Sequence, residues 1–158
     1  LTPDIVVNLQ GDAPLTPPWF VEDLVAGLRA DPDADVATPV LRCTGRMRAD
    51  LIADRHAGRV GGTTAVFGHD RQALFFSKEV IPFAAGDFGD DDPSPVFHHV
   101  GVYAYRPAAL AAYAAWPEAI RQGFEPARTV KTGSVSSALR LAPSRRSQSR
   151  KAASAAGE

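Results

Sequence analysis

The 158-residue sequence predicts an α/β fold. Three observations carry that prediction. A β-branched run, Ile5-Val6-Val7-Asn8-Leu9, is followed by an amphipathic helical pattern and then by a second apolar run, the order of a βαβ unit. Two further apolar runs, residues 63–67 (TTAVF) and 73–77 (ALFFS), flank the turn Gly68-His69-Asp70-Arg71-Gln72 and read as a hairpin. Residues 97–105 (FHHVGVYAY) alternate between two faces, as a strand does.

The first run is apolar on both faces, which suits a buried strand. It ends in Gln10-Gly11-Asp12, a turn at the strand's carboxyl end, where open α/β sheets bind their ligands. A helix should then start with Thr16 as N-cap and Pro17 at the first helical position. Val21, Leu24, Val25 and Leu28 form its apolar stripe, and Asp31-Pro32 stops it after Ala30. Residues 35–41 (DVATPVL) are the second strand, expected to run parallel to the first. Pro39 lacks an N–H, so this strand is expected near an edge or to end early. A charged helical stretch covers 46–55, and an acidic loop covers 84–95. In residues 97–105 the alternation puts Phe97, His99, Gly101, Tyr103 and Tyr105 on one face and His98, Val100, Val102 and Ala104 on the other. Pro107 opens a last helix, expected to reach Trp116.

Charge divides the chain. Residues 1–120 hold 9 Lys and Arg against 16 Asp and Glu, whereas residues 121–158 hold 8 against 2. Residues 141–158 contain no Val, Ile, Phe, Trp or Tyr and cannot bury enough apolar surface to offset their ordering entropy. The expectation is a domain over 1–120 and a basic, low-complexity, disordered tail over 121–158. That tail lacks interleaved aromatics, so no nucleic-acid partner is expected. No apolar run reaches the length of a membrane span, so no membrane partner is expected either. The single cysteine, Cys43, excludes a disulfide framework and a cysteine metal site, fits a cytoplasmic setting, and reads as a small buried hydrophobe. A strand beginning so near Leu1 suggests a chain whose N-terminal part is missing.

Four places could carry chemistry, each with a bland alternative. Asp12 could hold Mg²⁺ through a carboxylate oxygen while nucleotide phosphates complete the shell, or could bond its own turn. His99 and Tyr103 flank side-chain-free Gly101, a notch suited to a hydroxyl-rich ligand; alternatively they are a buried His and an interfacial Tyr. Their backbones would stand about 13 Å apart in an extended strand. Lys78, at a strand end, could meet an anionic substrate or simply be solvated. Asp90-Asp91-Asp92 offers an Asp-x-Asp spacing but reads as a solvated loop. Walker A, Rossmann glycine and nucleophile-elbow motifs are absent, as is zinc-ligand spacing.

Taken together, Val7-Asn8-Leu9-Gln10-Gly11-Asp12-Ala13-Pro14, Ala73-Leu74-Phe75-Phe76-Ser77-Lys78 with Ile81-Pro82, and His99-Val100-Gly101-Val102-Tyr103-Ala104-Tyr105-Arg106 resemble the 3-deoxy-manno-octulosonate (KDO) cytidylyltransferases, or CMP-KDO synthetases. The resemblance covers residues 4–116, the middle of a longer family chain. It implies an incomplete nucleotide-diphospho-sugar-transferase-like, Rossmann-like sheet with a hairpin-containing sugar-binding part. It also implies CTP and KDO as substrates, Mg²⁺ as cofactor, a cytoplasmic place in lipopolysaccharide biosynthesis and a homodimer. Asp12 matches the family's catalytic, magnesium-binding aspartate, and Gln10 lies beside it in the substrate pocket. His99 and Tyr103 match sugar-binding positions. Lys78 stands where the family usually has Arg, keeping the charge but losing the bidentate fork. Ala13 replaces a common Glu. The family's triphosphate loop and its second magnesium aspartate are not found, so this chain alone is expected to be inactive. The abrupt basic tail suggests a shifted reading frame. Two other readings stay open: a non-catalytic α/β remnant that binds or dimerises, and an acylneuraminate cytidylyltransferase.

Overall fold

The computed structural model describes residues 2–11, 14–116, 130–131 and 136–140. Its elements are β1 (Val6–Leu9), α1 (Pro18–Ala30), β2 (Val36–Thr44), α2 (Gly45–His56), β3 (Thr64–Phe67), β4 (Ala73–Ser77), β5 (Pro93–His99), β6 (Val102–Tyr105), α3 (Pro107–Ala114), β7 (Val130–Lys131) and β8 (Ser136–Arg140). The strands form one open sheet whose main path is β1-β6-β2-β5-β3-β4. The fold is α/β, and its neighbouring strands along this path are antiparallel.

β1 and β2 run parallel, as the βαβ pattern predicts, but they are not neighbours. Each is antiparallel to β6, which lies between them. α1 packs over this join. Leu24 and Leu28 are fully buried against Ala34, Ala37, Val102 and Ala104, with Ile5, Val7 and Val100 alongside. Each such leucine contributes roughly 1.5–3 kcal/mol of transfer free energy. α1 begins one residue later than expected: Pro17 is the N-cap, without a side-chain cap bond, and Pro18 takes the first position. Two prolines in a row satisfy the fixed φ of the first turn while needing no N–H partner there. The helix ends at Ala30, as Asp31-Pro32 predicts.

The end of α1 is held from a distance. Arg106 donates from Nε to the Ala34 carbonyl at 2.8 Å and from Nη2 to the carbonyls of Leu28 at 2.5 Å and Asp31 at 3.0 Å. The Leu28 and Asp31 carbonyls also accept from the Asp31 and Ala34 N–H groups, so Arg106 adds a second donor to each. Arg106 is also the N-cap of α3, so one residue joins two helix ends.

β2 contradicts the edge expectation for Pro39. It runs on to Thr44 and pairs with β6 and β5 along one side and with β8 and β7 along the other. Residues 97–105 likewise are not one strand: β5 ends at His99 and β6 begins at Val102. Val40 faces His99 while Ala37 faces Ala104, so the four residues Val100 to Tyr103 stand opposite only two, Thr38 and Pro39. The two departures have one cause. The Pro39 carbonyl accepts from Val100 N–H at 3.0 Å, and a residue's N–H and C=O point to the same side of a strand. The missing Pro39 N–H therefore faces the bulge, where the ladder is already broken. The extra count is two, an even number, so the expected faces survive.

α2 covers the same face as α1. The Thr44 Oγ1 caps it, accepting from Met47 N–H at 3.3 Å. The loop expected to be merely solvated closes its first turn: Gly45 and Arg46 N–H donate to the Asp92 and Asp90 carbonyls at 2.9 and 3.1 Å. Arg55 holds the carbonyls of Lys78, Arg59 and Gly62 beyond the helix's other end. Cys43 is fully buried, and burial pushes its thiol pKa up. Of the segment 121–158, β7 and β8 are described and lie in the sheet; the remainder lies outside the described residues.

Two glycine substitutions test this packing. A Cβ on Gly45 would stand 2.3 Å from the Gly89 carbonyl oxygen, whereas one on Gly27 meets nothing within 4 Å. Gly45→Ala should cost about 1–3 kcal/mol in urea unfolding. Gly27→Ala, inside α1, should add about 0.5–1 kcal/mol.

Candidate sugar-binding site

The face of the sheet opposite α1 and α2 carries a row of rings. Phe76 of β4 meets His99 edge-on at 4.9 Å between centroids, His99 meets Tyr103 at 5.5 Å, and Tyr103 stacks on Tyr105 at 5.9 Å. They pack on a buried floor of Val36, Val40, Ala65 and Ala73. His99 and Tyr103 therefore touch, instead of standing apart across a notch. The bulge is the reason. Val102 N–H turns back to the Val100 carbonyl at 2.8 Å, which shortens the path between the two residues.

The space over Gly101 belongs to Gln10. Its Oε1 lies 3.0 Å from where a Gly101 Cβ would be. Asn8 pairs with Tyr103, and Gln10, two residues on, falls on the same face by strand alternation. Gln10, Gly101, His99 and Tyr103 thus come together at the β1–β6 end. Asp12, two residues further along the chain, lies outside the described residues. Lys78 is held apart from them: its Nζ donates to Thr63 Oγ1 at 2.8 Å and approaches the Gly61 carbonyl at 3.4 Å. Its charge still reaches the site, since it contributes to lowering the pKa of both His98 and His99.

Burial is the main force on His99, pushing its pKa down to about 4, with the positive charges of His98 and Lys78 adding to it. The ring is neutral at pH 7 and can accept a hydrogen bond from a ligand hydroxyl. Nε2 lies 2.9 Å from the Thr38 hydroxyl. Thr38 is fully buried, and sequence reading passed over it; its only signal is a hydroxyl placed inside an otherwise apolar strand. Among the described residues no group of three or more His, Cys, Asp or Glu could hold a metal ion. Magnesium here would depend on Asp12 and on nucleotide phosphates, a mode Mg²⁺ commonly uses. A separate cavity of about 180 Å³, on the α2 face, is lined by Met47, Asp50, Leu51, Asp54 and His98 and contains none of the predicted site residues. Among the described residues no helix is long and apolar enough to cross a membrane.

No family model matches the chain. It is similar to 3-deoxy-manno-octulosonate cytidylyltransferases. The protein of Maricaulis maris is 38% identical over 133 residues, which is 82% of this chain and 50% of that protein. That of Alcanivorax borkumensis is 31% identical over 144 residues, 89% of this chain and 54% of the relative. A solved structure of CMP:2-keto-3-deoxy-manno-octonic acid synthetase complexed with CTP matches with a TM-score of 0.57 and 30% identity, over 79% of this chain and 48% of the other. The chain spans about half the length of the curated relatives it matches. A match over 89% of the chain is longer than residues 4–116, so the similarity continues past the three motifs.

The depressed His99 pKa has a consequence for stability. Above the ordinary value of 6.5 the ring is neutral in both states. As pH falls from 6.5 towards 4, the unfolded chain takes up a proton that the folded chain refuses, and stability is lost by up to about 3 kcal/mol. Urea unfolding at pH 7 and pH 4.5 should show a larger loss for the wild-type chain than for His99→Gln; equal losses would contradict this burial of the ring.

Proposed function

We propose that this chain is the sugar-acid side of a CTP-dependent nucleotidyltransferase that activates KDO as CMP-KDO with release of pyrophosphate. The observation that carries the reading is that Gln10 reaches over Gly101, which lies in sequence between His99 and Tyr103 with their touching rings; this brings two of the three family-like motifs to one face. The similarity to cytidylyltransferases of this sugar acid supports it. In the reaction the sugar's anomeric hydroxyl attacks the α-phosphorus of CTP in line. The bond from that phosphorus to the pyrophosphate oxygen breaks, with no covalent enzyme intermediate.

The site's part is positioning. The neutral His99 ring accepts from a sugar hydroxyl, and the Gln10 amide offers both a donor and an acceptor to the same hydroxyl-rich face. Tyr103 supplies a phenol tip and a flat apolar wall. Lys78 supplies positive charge for the sugar carboxylate, as a point charge and not as a fork. We assign Asp12 to Mg²⁺; bound there, the metal would neutralise charge building on the phosphates. The reading carries with it a cytoplasmic enzyme of lipopolysaccharide biosynthesis, acting as a homodimer without nucleic-acid or membrane partners.

Calorimetry with KDO tests the site. Binding should weaken about five- to tenfold in His99→Gln and in Tyr103→Phe, the loss of one hydrogen bond each. N-acetylneuraminate should compete poorly; equal competition would point to the acylneuraminate enzymes, and no KDO binding at all to a non-catalytic module. CTP binding should depend on Mg²⁺, and Asp12→Ala should remove that dependence. The 158 residues contain no basic, glycine-rich triphosphate loop, so pyrophosphate should not form above background from CTP and KDO. Release by the purified chain would refute that expectation.

A further inference from the structure

The Thr38 hydroxyl has more neighbours than it has protons. Its oxygen lies 2.6 Å from the Val102 carbonyl, 3.1 Å from the Val100 carbonyl and 2.9 Å from His99 Nε2. The residue is fully buried. A carbonyl oxygen can only accept, and a hydroxyl has one proton to give. If that proton went to Nε2, the oxygen would face two carbonyl oxygens, one at 2.6 Å, with nothing between them. The proton must therefore go to the carbonyls, chiefly Val102. The remaining hydroxyl lone pair then accepts from His99, and Nε2 must carry a proton to give.

We propose that Thr38 is a positioning residue: it fixes His99 as the Nε2–H tautomer and so leaves the Nδ1 lone pair as the acceptor presented to ligand. Nδ1 makes no hydrogen bond among the described residues. The ring plane is set from both sides, by Phe76 and by Tyr103. The Thr38 hydroxyl anchors the same carbonyls that flank Gly101, so the tautomer and the shape of the bulge are held by one atom. This explains why a polar side chain sits in a strand whose other buried members are apolar or proline. Serine would supply the same hydroxyl, and threonine adds a methyl to it. The extra methyl fills buried space and restricts χ1, keeping the oxygen on its three partners.

The role in ligand binding rests on the sugar-site reading, but the tautomer does not, and the two can be tested separately. Nitrogen-15 NMR of the histidine rings, with His99 assigned by its loss in His99→Gln, reads the tautomer directly in the ligand-free chain. The wild-type chain and Thr38→Ser should show a pyrrole-like Nε2 and a pyridine-like Nδ1, with an Nε2 proton slow to exchange with water. In Thr38→Val, whose shape is closest to threonine, that proton should exchange freely. KDO, used as the probe, should bind about fivefold more weakly to Thr38→Val and near-normally to Thr38→Ser. A protonated Nδ1 in the wild-type chain, or a protected Nε2 proton persisting in a folded Thr38→Val, overturns the proposal. Equal KDO binding by all three chains overturns the positioning role. Failure of the wild-type chain to bind KDO overturns the sugar reading, and the nitrogen signals then decide the tautomer alone.

Discussion

One backbone donor is missing from the middle of the sheet, and much of the architecture follows from where its absence is placed. Pro39 sits in β2, the strand with partners on both sides. A proline there would break a ladder bond if the partner strand ran straight. The partner does not run straight. Opposite Pro39 it bulges by two residues, with Val100 N–H still on the Pro39 carbonyl, and the Thr38 hydroxyl takes up the carbonyls of Val100 and Val102. The irregularity is thereby satisfied by hydrogen bonds in a fully buried place, which is the condition under which a buried polar group is tolerated.

The same irregularity builds the candidate site. An uninterrupted strand would carry His99 and Tyr103 too far apart for their rings to meet. With the bulge the rings touch, Gly101 opens a gap, and the Gln10 side chain enters it from the neighbouring strand. A Cβ at position 101 would stand 3.0 Å from the Gln10 side-chain oxygen, so a larger residue there would have to push that exposed side chain out of the gap. Fold defect and candidate site are one feature. Bulges of this kind commonly re-aim side chains beside functional sites.

The two faces of the sheet do different work. The face under α1 is closed by aliphatic side chains and tied at its end by Arg106, whose three carbonyl contacts leave it no role beyond support. The other face is paved with aromatic rings that are only partly covered, and His99 lies among them. An imidazole there loses hydration without gaining an anionic partner, which is why its pKa falls. A neutral acceptor in an aromatic setting suits a polyol better than it suits a charged group.

Local patterns in the sequence determined the elements. Local pattern placed α1 and its end, the hairpin strands and the start of α3, which stops at Ala114 and not at Trp116, because each depends on residues close together in the chain. Alternation placed His99 and Tyr103 on one face, and an even-numbered bulge left that assignment intact. The three motifs name Asp12, Gln10, Lys78, His99 and Tyr103 together; of these the described structure places Gln10 over Gly101 and His99 against Tyr103. Tertiary structure alone decided the rest. Pro39 read as an edge signal because its missing donor is local, while the bulge that accommodates it is more than fifty residues away. Thr38 was invisible because a hydroxyl in an apolar run announces nothing until its partners on another strand are known. Lys78 looked free at a strand end, and only the fold brought Thr63 to its ammonium. Strand order followed the same rule: β6, late in the chain, lies between β1 and β2 because pairing across a sheet is a long-range choice that no local pattern encodes.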